Sequence, residues 1–250
     1  MTRLFCFTRL ALLCCFVVWP AVALAQDKPT TGFLDKTFKN ADGNTSPYVV
    51  FVPKDYDGKK EYPVMLFLHG AGETKTDKKG GKMPVEVGIG PAIKKREKDF
   101  PFIVVIPQAE GFGWAADKPN AKRALAMLDE VMKEYKTDEK RQYLSGLSMG
   151  GMGTWSIAMS TPDRWAAIVP VCGNGNTKTA DKLKDLPCWC FHGDADTAVK
   201  VEGSRDMIEA IKKAGGTPKY TEYPKVGHNS WDMAYGDPEL YKWLLEQKKK

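Results

Sequence analysis

Ser148 stands at the centre of Gly146-Leu147-Ser148-Met149-Gly150, a Gly-x-Ser-x-Gly pattern between two runs of different character. Arg141-Gln142-Tyr143-Leu144-Ser145 before it suits a strand, and Met152 to Met159 after it suits a helix. A strand that turns directly into a helix holds its central serine on strained dihedrals with the hydroxyl exposed. Side chains at the two flanking positions would collide across so tight a turn, so both need glycine. The plainer reading is a glycine-rich strand-to-helix turn. A serine hydroxyl is a weak nucleophile until a base takes its proton, so a base and a group to orient it must be found elsewhere in the chain.

The chain has 3 histidines, and each adjoins a glycine at the end of a predicted strand or in a late loop. His69-Gly70-Ala71-Gly72 closes the run Val64 to Leu68, and His192-Gly193-Asp194-Ala195-Asp196 closes Cys188 to Phe191. Gly227-His228-Asn229 follows the extended run Lys219 to Tyr223. In open α/β sheets the chemistry gathers beyond the carboxyl ends of the strands, so these segments would meet. The chain order serine, acid, histidine is that of an α/β-hydrolase triad. Ser148 and His228 fit as nucleophile and general base, with Asp196 or Asp194 as the acid that holds the imidazole tautomer. His69 reads as a shaper of an oxyanion loop, whose donors would be the backbone N–H groups of Met149 and Ala71. His192 reads as structural.

The elements that would position these groups are visible as short apolar runs. Tyr48–Val52, Val64–Leu68, Phe102–Ile106, Ala167–Val171 and Cys188–Phe191 read as strands buried on both faces, which argues for a mainly parallel sheet. Ala121, Leu125, Leu128, Met132 and Tyr135 recur at helical spacing, as do Met207, Ile208 and Ile211. Asp237 as N-cap and Pro238 in the first turn announce a last helix. The alternation predicts a single three-layer α/β sandwich. Gly72 to Gly90, rich in lysine and glycine, reads as a surface loop.

Residues 1–25 read as a signal peptide. Arg3 and Arg9 precede the apolar run Leu10 to Val18, Pro20 breaks it, and Ala23-Leu24-Ala25 offers small residues for cleavage after Ala25. Leu13 before Cys14 is too bulky for a lipidation site, so a secreted or periplasmic location without a membrane span is expected. Removing this segment lowers the net charge of +6 by two arginines to +4. Acids and bases are interspersed in residues 26–250, and no arginine-rich stripe suggests nucleic acid. Of the 6 cysteines, Cys172, Cys188 and Cys190 follow the signal. Cys188 and Cys190 point the same way on one strand, while Cys172 could pair with either or all could be small buried hydrophobes. No cysteine spacing resembles a zinc site, and no cofactor is called for.

Several segments together resemble the secreted "predicted peptidase" or phospholipase/carboxylesterase-like group of bacterial esterases, relatives of feruloyl esterases, polyhydroxybutyrate depolymerases and dienelactone hydrolases. They are Leu66 to Glu73, Ile106-Pro107-Gln108, Gly146 to Trp155, Pro170 to Gly173, Phe191-His192-Gly193 and Tyr241 to Gln247. The resemblance spans about residues 45 to 247 and implies an α/β-hydrolase fold with a serine-based ester hydrolysis. It also selects the acid: His192-Gly-x-x-Asp196-x-x-Val199 is similar to the acid-bearing segment of dienelactone hydrolases and prolyl peptidases, whose aspartate lies four residues after the histidine. Thr74 to Lys78 departs from the group, which usually carries Gly-x-Asp-Asn there.

Esters rather than peptides are expected, because no propeller-like gating domain accompanies the catalytic segments. The 14 residues between Cys172 and Pro187 are too few for a large lid domain, which favours small or polysaccharide-linked esters entering an open cleft. Gly70, Trp114 and Trp231 are the candidate substrate contacts. Trp114, in Gly111-Phe112-Gly113-Trp114, is either an aromatic wall beside the site or a surface ring over the sheet edge. Trp231 either lines the cleft or anchors the helix after it, and Trp155 is core.

Overall fold

A computed structural model describes residues 1–2, 29–75 and 84–249 of the chain. Apart from Met1 and Thr2, the expected signal sequence lies outside the described residues. Among those residues, no helix is long and apolar enough to cross a membrane.

The strands are β1 (Gly32–Lys39), β2 (Thr45–Val52), β3 (Tyr62–Leu68), β4 (Ile103–Pro107), β5 (Thr137–Leu147), β6 (Ala167–Val171), β7 (Trp189–Gly193) and β8 (Lys219–Tyr223). They form one sheet in the order β1-β2-β4-β3-β5-β6-β7-β8. From β4 to β8 every neighbouring pair is parallel. β2 is antiparallel to both β1 and β4, so β2 alone runs against the rest. Its run Tyr48–Val52 has the apolar pattern of the parallel strands because burial on both faces does not report direction.

The helices are α1 (Ile89–Lys95), α2 (Pro119–Glu134), α3 (Met149–Ser160), α4 (Glu202–Lys213), α5 (Trp231–Gly236) and α6 (Pro238–Glu246). Because successive strand residues point to opposite faces, each central strand feeds two cores. Val64, Leu66 and Leu68 pack with α2, α3 and α4 on one face. Met65 and Phe67 pack with α1, α5 and α6 on the other. The chain is thus a three-layer α/β sandwich. The expected final helix is α6, where the Asp237 carboxylate accepts from the Glu239 N–H and Pro238 occupies the first turn. Between β6 and β7 lies only a 3-10 turn, Thr177–Leu183, in the span expected to hold no lid.

Parallel order matters here because β3, β5, β6 and β7 all end on one edge. His69, Ser148, Cys172 and Asp196 follow those four strands, and the His228 loop follows β8.

Candidate active site

β5 ends at Leu147, Ser148 adopts φ 53° and ψ −117°, and α3 begins at Met149. A positive φ at a non-glycine residue is strained, and the surroundings must hold it there. Two neighbours do so: the Ser148 N–H donates to the Val171 carbonyl at 2.9 Å, and its own carbonyl accepts from Met152 at 2.9 Å. A Cβ on Gly146 would lie 2.4 Å from the Gly150 oxygen, and one on Gly150 would lie 1.9 Å from the Leu68 oxygen. The glycines are needed because backbone passes against backbone at the turn.

The structure brings Ser148, His228 and Asp196 into one hydrogen-bonded chain. The Ser148 hydroxyl lies 2.9 Å from His228 Nε2, and His228 Nδ1 lies 2.6 Å from Asp196 Oδ2. A carboxylate can only accept, so Nδ1 carries a hydrogen and Nε2 is free to accept from the serine. Asp196 Oδ1 accepts the N–H groups of Ala198 and Val199 at 2.8 and 2.9 Å. Burial pushes the Asp196 carboxyl up, but the His228 N–H and these two backbone donors outweigh it and hold it below the usual carboxylate range. The acid side chain is fully buried while His228 is 27% exposed. The proton acceptor therefore faces the cleft and its counter-charge does not.

Asp194 is exposed instead, and its Oδ1 accepts the Lys225 N–H at 2.6 Å. That bond braces Lys225, which has φ 60°. The loops after β7 and β8 are laced together by further bonds from Ala195 to Val226 and from Asp194 to Tyr223, at 3.0 and 3.1 Å.

Met149 opens α3, where backbone N–H groups have no partner four residues back and the helix dipole is positive. Across from it, a Cβ on Gly70 would come within 3.7 Å of Ser148 Cβ, so the His69–Ala71 backbone lies against the elbow. His69 is buried and held at both nitrogens: Nε2 accepts the Ala109 N–H at 2.9 Å, and Nδ1 donates to the Gly70 carbonyl at 2.6 Å. Burial pushes the imidazole down to about 4, against an ordinary value of 6.5.

That depression has a consequence for acid stability. Above pH 6.5 the group is neutral in both states and contributes no pH dependence. As pH falls below 6.5 the unfolded chain gains a proton that the folded imidazole refuses, and stability is lost until about pH 4. At ~1.4 kcal/mol per pH unit this amounts to roughly 3 kcal/mol. Urea titrations at pH 7 and pH 4 should show this loss in the wild type and not in His69→Gln, whose carboxamide oxygen can still accept from Ala109. An equal loss in both would place the acid sensitivity elsewhere.

The structure corrects the reading of Trp114. Its ring is 1% exposed, its indole N–H donates to the His69 carbonyl at 3.0 Å, and Gly153 of α3 packs against its Cβ. It props the His69–Gly70 loop from beneath and presents no face to a ligand. Its neighbour Phe112 is 78% exposed, carried between Gly111 (φ 71°) and Gly113 (φ 106°). The Gly113 N–H contacts Met149 Sδ at 3.2 Å, so this turn sits beside the elbow. Trp231 meets the His228 ring edge-on at 5.3 Å and begins α5.

Cys172, Cys188 and Cys190 are buried free thiols, so neither pairing of Cys172 is formed. Cys172 follows β6 with φ 41°, and its sulfur lies with Asp196 and His228 in a group whose donor atoms are within 4.8 Å of one another. Those three could offer a metal ion ligands, but Asp196 and His228 already bond each other, and burial pushes the thiol up to about 12.

Known proteins resemble the chain in sequence and fold. The profile of the prolyl oligopeptidase family matches residues 118–190. A thermostable esterase of known structure superposes with TM-score 0.73 and 34% identity, covering 86% of this chain and 63% of the other. A probable feruloyl esterase C of Aspergillus niger is 24% identical over 196 residues, which are 75% of this chain and 69% of that one. The chain has the α/β-hydrolase fold and is similar to feruloyl esterases. It is also 38% identical over 115 residues, 42% of its length, to a bifunctional acetylxylan esterase/xylanase of Neocallimastix patriciarum, and spans 17% of that protein.

Proposed function

We propose that this hydrolase is an exported serine esterase that cleaves short acyl or aryl esters, including those carried on plant polysaccharide, through an acyl-enzyme on Ser148. The observation that carries the reading is the Ser148–His228–Asp196 hydrogen-bond chain built on a strained elbow. As the Ser148 oxygen attacks the ester carbonyl, its proton passes to His228 Nε2. The resulting imidazolium is stabilised by Asp196, which stays ionised. Negative charge on the former carbonyl oxygen meets the N–H groups of Met149 and Ala71. The tetrahedral adduct collapses as His228 protonates the leaving alcohol. Water, activated by the same imidazole, then releases the acid and restores Ser148.

The ester class is supported by relatives named for acetylxylan and feruloyl esters. Gly70 has no side chain to block the approach to Ser148, Phe112 is exposed on the turn that touches Met149, and Trp231 packs against His228. A second reading, cleavage of short peptides, is favoured by the match to the prolyl oligopeptidase family. Export rests on the leader-like composition of residues 1–25.

Residues 26–250 assayed on short acyl esters, feruloyl and acetyl sugars, and peptidyl amides would decide between the readings. Turnover of esters well above amides supports the esterase, comparable turnover of amides supports the peptidase, and inert esters would overturn the proposal. Within that screen, Phe112→Ala should raise KM for the feruloyl ester by about 3- to 10-fold, the value of one aromatic contact, and leave the acetyl ester unchanged. An equal effect on both would remove Phe112 from acyl recognition.

A further inference from the structure

Asp196 is held by a second imidazole. His192, at the end of β7 and fully buried, places Nε2 3.1 Å from Asp196 Oδ2, the oxygen that also accepts from His228. The same Nε2 lies 2.9 Å from the Val199 carbonyl. Both partners are acceptors, so Nε2 carries a hydrogen shared between them. On the other side of the ring, Nδ1 lies 2.7 Å from the Ser204 hydroxyl of α4, which can donate to it and so fix this tautomer.

The carboxylate of Asp196 is therefore saturated. Oδ1 takes two backbone N–H groups and Oδ2 takes two imidazoles, matching the roughly four acceptor directions a carboxylate has. Space-filling alone would not require this. An apolar side chain of similar volume could fill the pocket and leave Oδ2 with His228 as its sole partner.

We propose that His192 is a positioning residue for the Ser148–His228–Asp196 relay. Anchored by Ser204, it locks the Asp196 carboxylate with Oδ2 toward His228 and spreads its charge so that it stays ionised while His228 carries the proton. The inference rests on the esterase reading of the same site. If His192 is lost, the charge on Oδ2 falls on the His228 N–H alone. A more localised carboxylate binds the imidazolium more tightly, so His228 becomes a stronger base.

The other groups around this trio do not compete for the effect. Cys172 and Cys190 are thiols that burial pushes up to about 12. Glu222 of β8, in register with His192, is held down to about 2 by Arg205. Asp194 points away to the Lys225 amide. The variants compared below leave all of these groups in place.

The test compares His192→Leu, His192→Gln and Ser204→Ala, with active sites counted by an organophosphonate that labels the serine. For His192→Leu, kcat should fall by about 10-fold with KM little changed, and the acid limb of kcat/KM should move up by about half to one pH unit. Gln, whose amide N–H reaches toward the Nε2 position, should restore most of both, and Ser204→Ala should fall between. The chain has 3 histidines, so the His228 imidazole resonance can be followed by NMR, and its titration midpoint should move with the limb.

A lower melting temperature with an unmoved limb and an unmoved resonance would overturn the proposal, as would a Gln variant no better than Leu. Should Leu fail to fold, Gln and Ser204→Ala carry the same comparison. The NMR readout needs no turnover. A wild type inert on every ester would sink the esterase reading while leaving the His192 to Asp196 coupling measurable.

Discussion

Ser148→Ala should lower ester hydrolysis by roughly 10⁴-fold or more, leaving only what the backbone donors and binding provide. Alanine meets the same φ of 53° that serine does, and the bonds that clamp the turn come from its backbone N–H and carbonyl. The loss should therefore appear in turnover alone, with near-UV circular dichroism and melting temperature unchanged. Initial rates on a short-chain p-nitrophenyl ester measure it directly. Undiminished turnover would remove Ser148 from the mechanism.

Asp196→Asn should cost about 10³- to 10⁴-fold in kcat, while Asp194→Asn should stay within about threefold of wild type. The reason lies in what each oxygen faces. Two backbone N–H groups fix the carbonyl half of an asparagine at 196, which turns its NH₂ toward the hydrogens of His228 and His192. To avoid donor facing donor, His228 must adopt the other tautomer, whose Nε2–H cannot accept a proton from Ser148. Asp194 bonds one amide from an exposed position, and an asparagine oxygen can replace it. Parallel kinetics on the two variants rank them, and the opposite order would reassign the acid.

The choice between Asp194 and Asp196 shows where the residue types alone stop and only a resemblance to the acid-bearing segment of other hydrolases decides. Both follow the same strand, two residues apart, and either side chain has the right chemistry. Burial and the two N–H donors at Ala198 and Val199 separate them, and these depend on how the loop folds back. The elbow was easier to see because a backbone collision forces glycine at fixed positions around Ser148. Apolar runs revealed the central strands, whose neighbours bury both faces.

β1 escaped notice for the opposite reason. Gly32-Phe33-Leu34-Asp35-Lys36-Thr37-Phe38-Lys39 is an edge strand with Asp35, Thr37 and Lys39 exposed and its other side chains mostly half-buried, so it carries no continuous apolar run. α5, six residues long, is too short for a helical period to show. In Gly111 to Trp114 the turn passes beside Met149 through the Gly113 N–H and leaves Phe112 exposed. The larger ring at Trp114 found an acceptor for its N–H in the interior, and position along the chain could not reveal that. Two partners of His192, Asp196 and Val199, stand four and seven residues on in the same segment, but the third, Ser204 on α4, and the sharing of Asp196 Oδ2 with His228 are encoded by no spacing.

The lacing between the loops after β7 and β8 decides which parts of the machinery can drift. Asp196 and His228 ride on segments tied by three bonds, from Asp194 and Ala195 on one side and Lys225 on the other. Ser148 is rooted in a separate body, clamped between the ends of β3 and β6. Acid and base thus form one hydrogen-bonded unit, and the gap between His228 and the serine oxygen is the distance along which that unit can shift relative to Ser148. Grafting either loop alone from a relative would split the pair, whereas grafting residues 192 to 228 whole would carry it across together with His192.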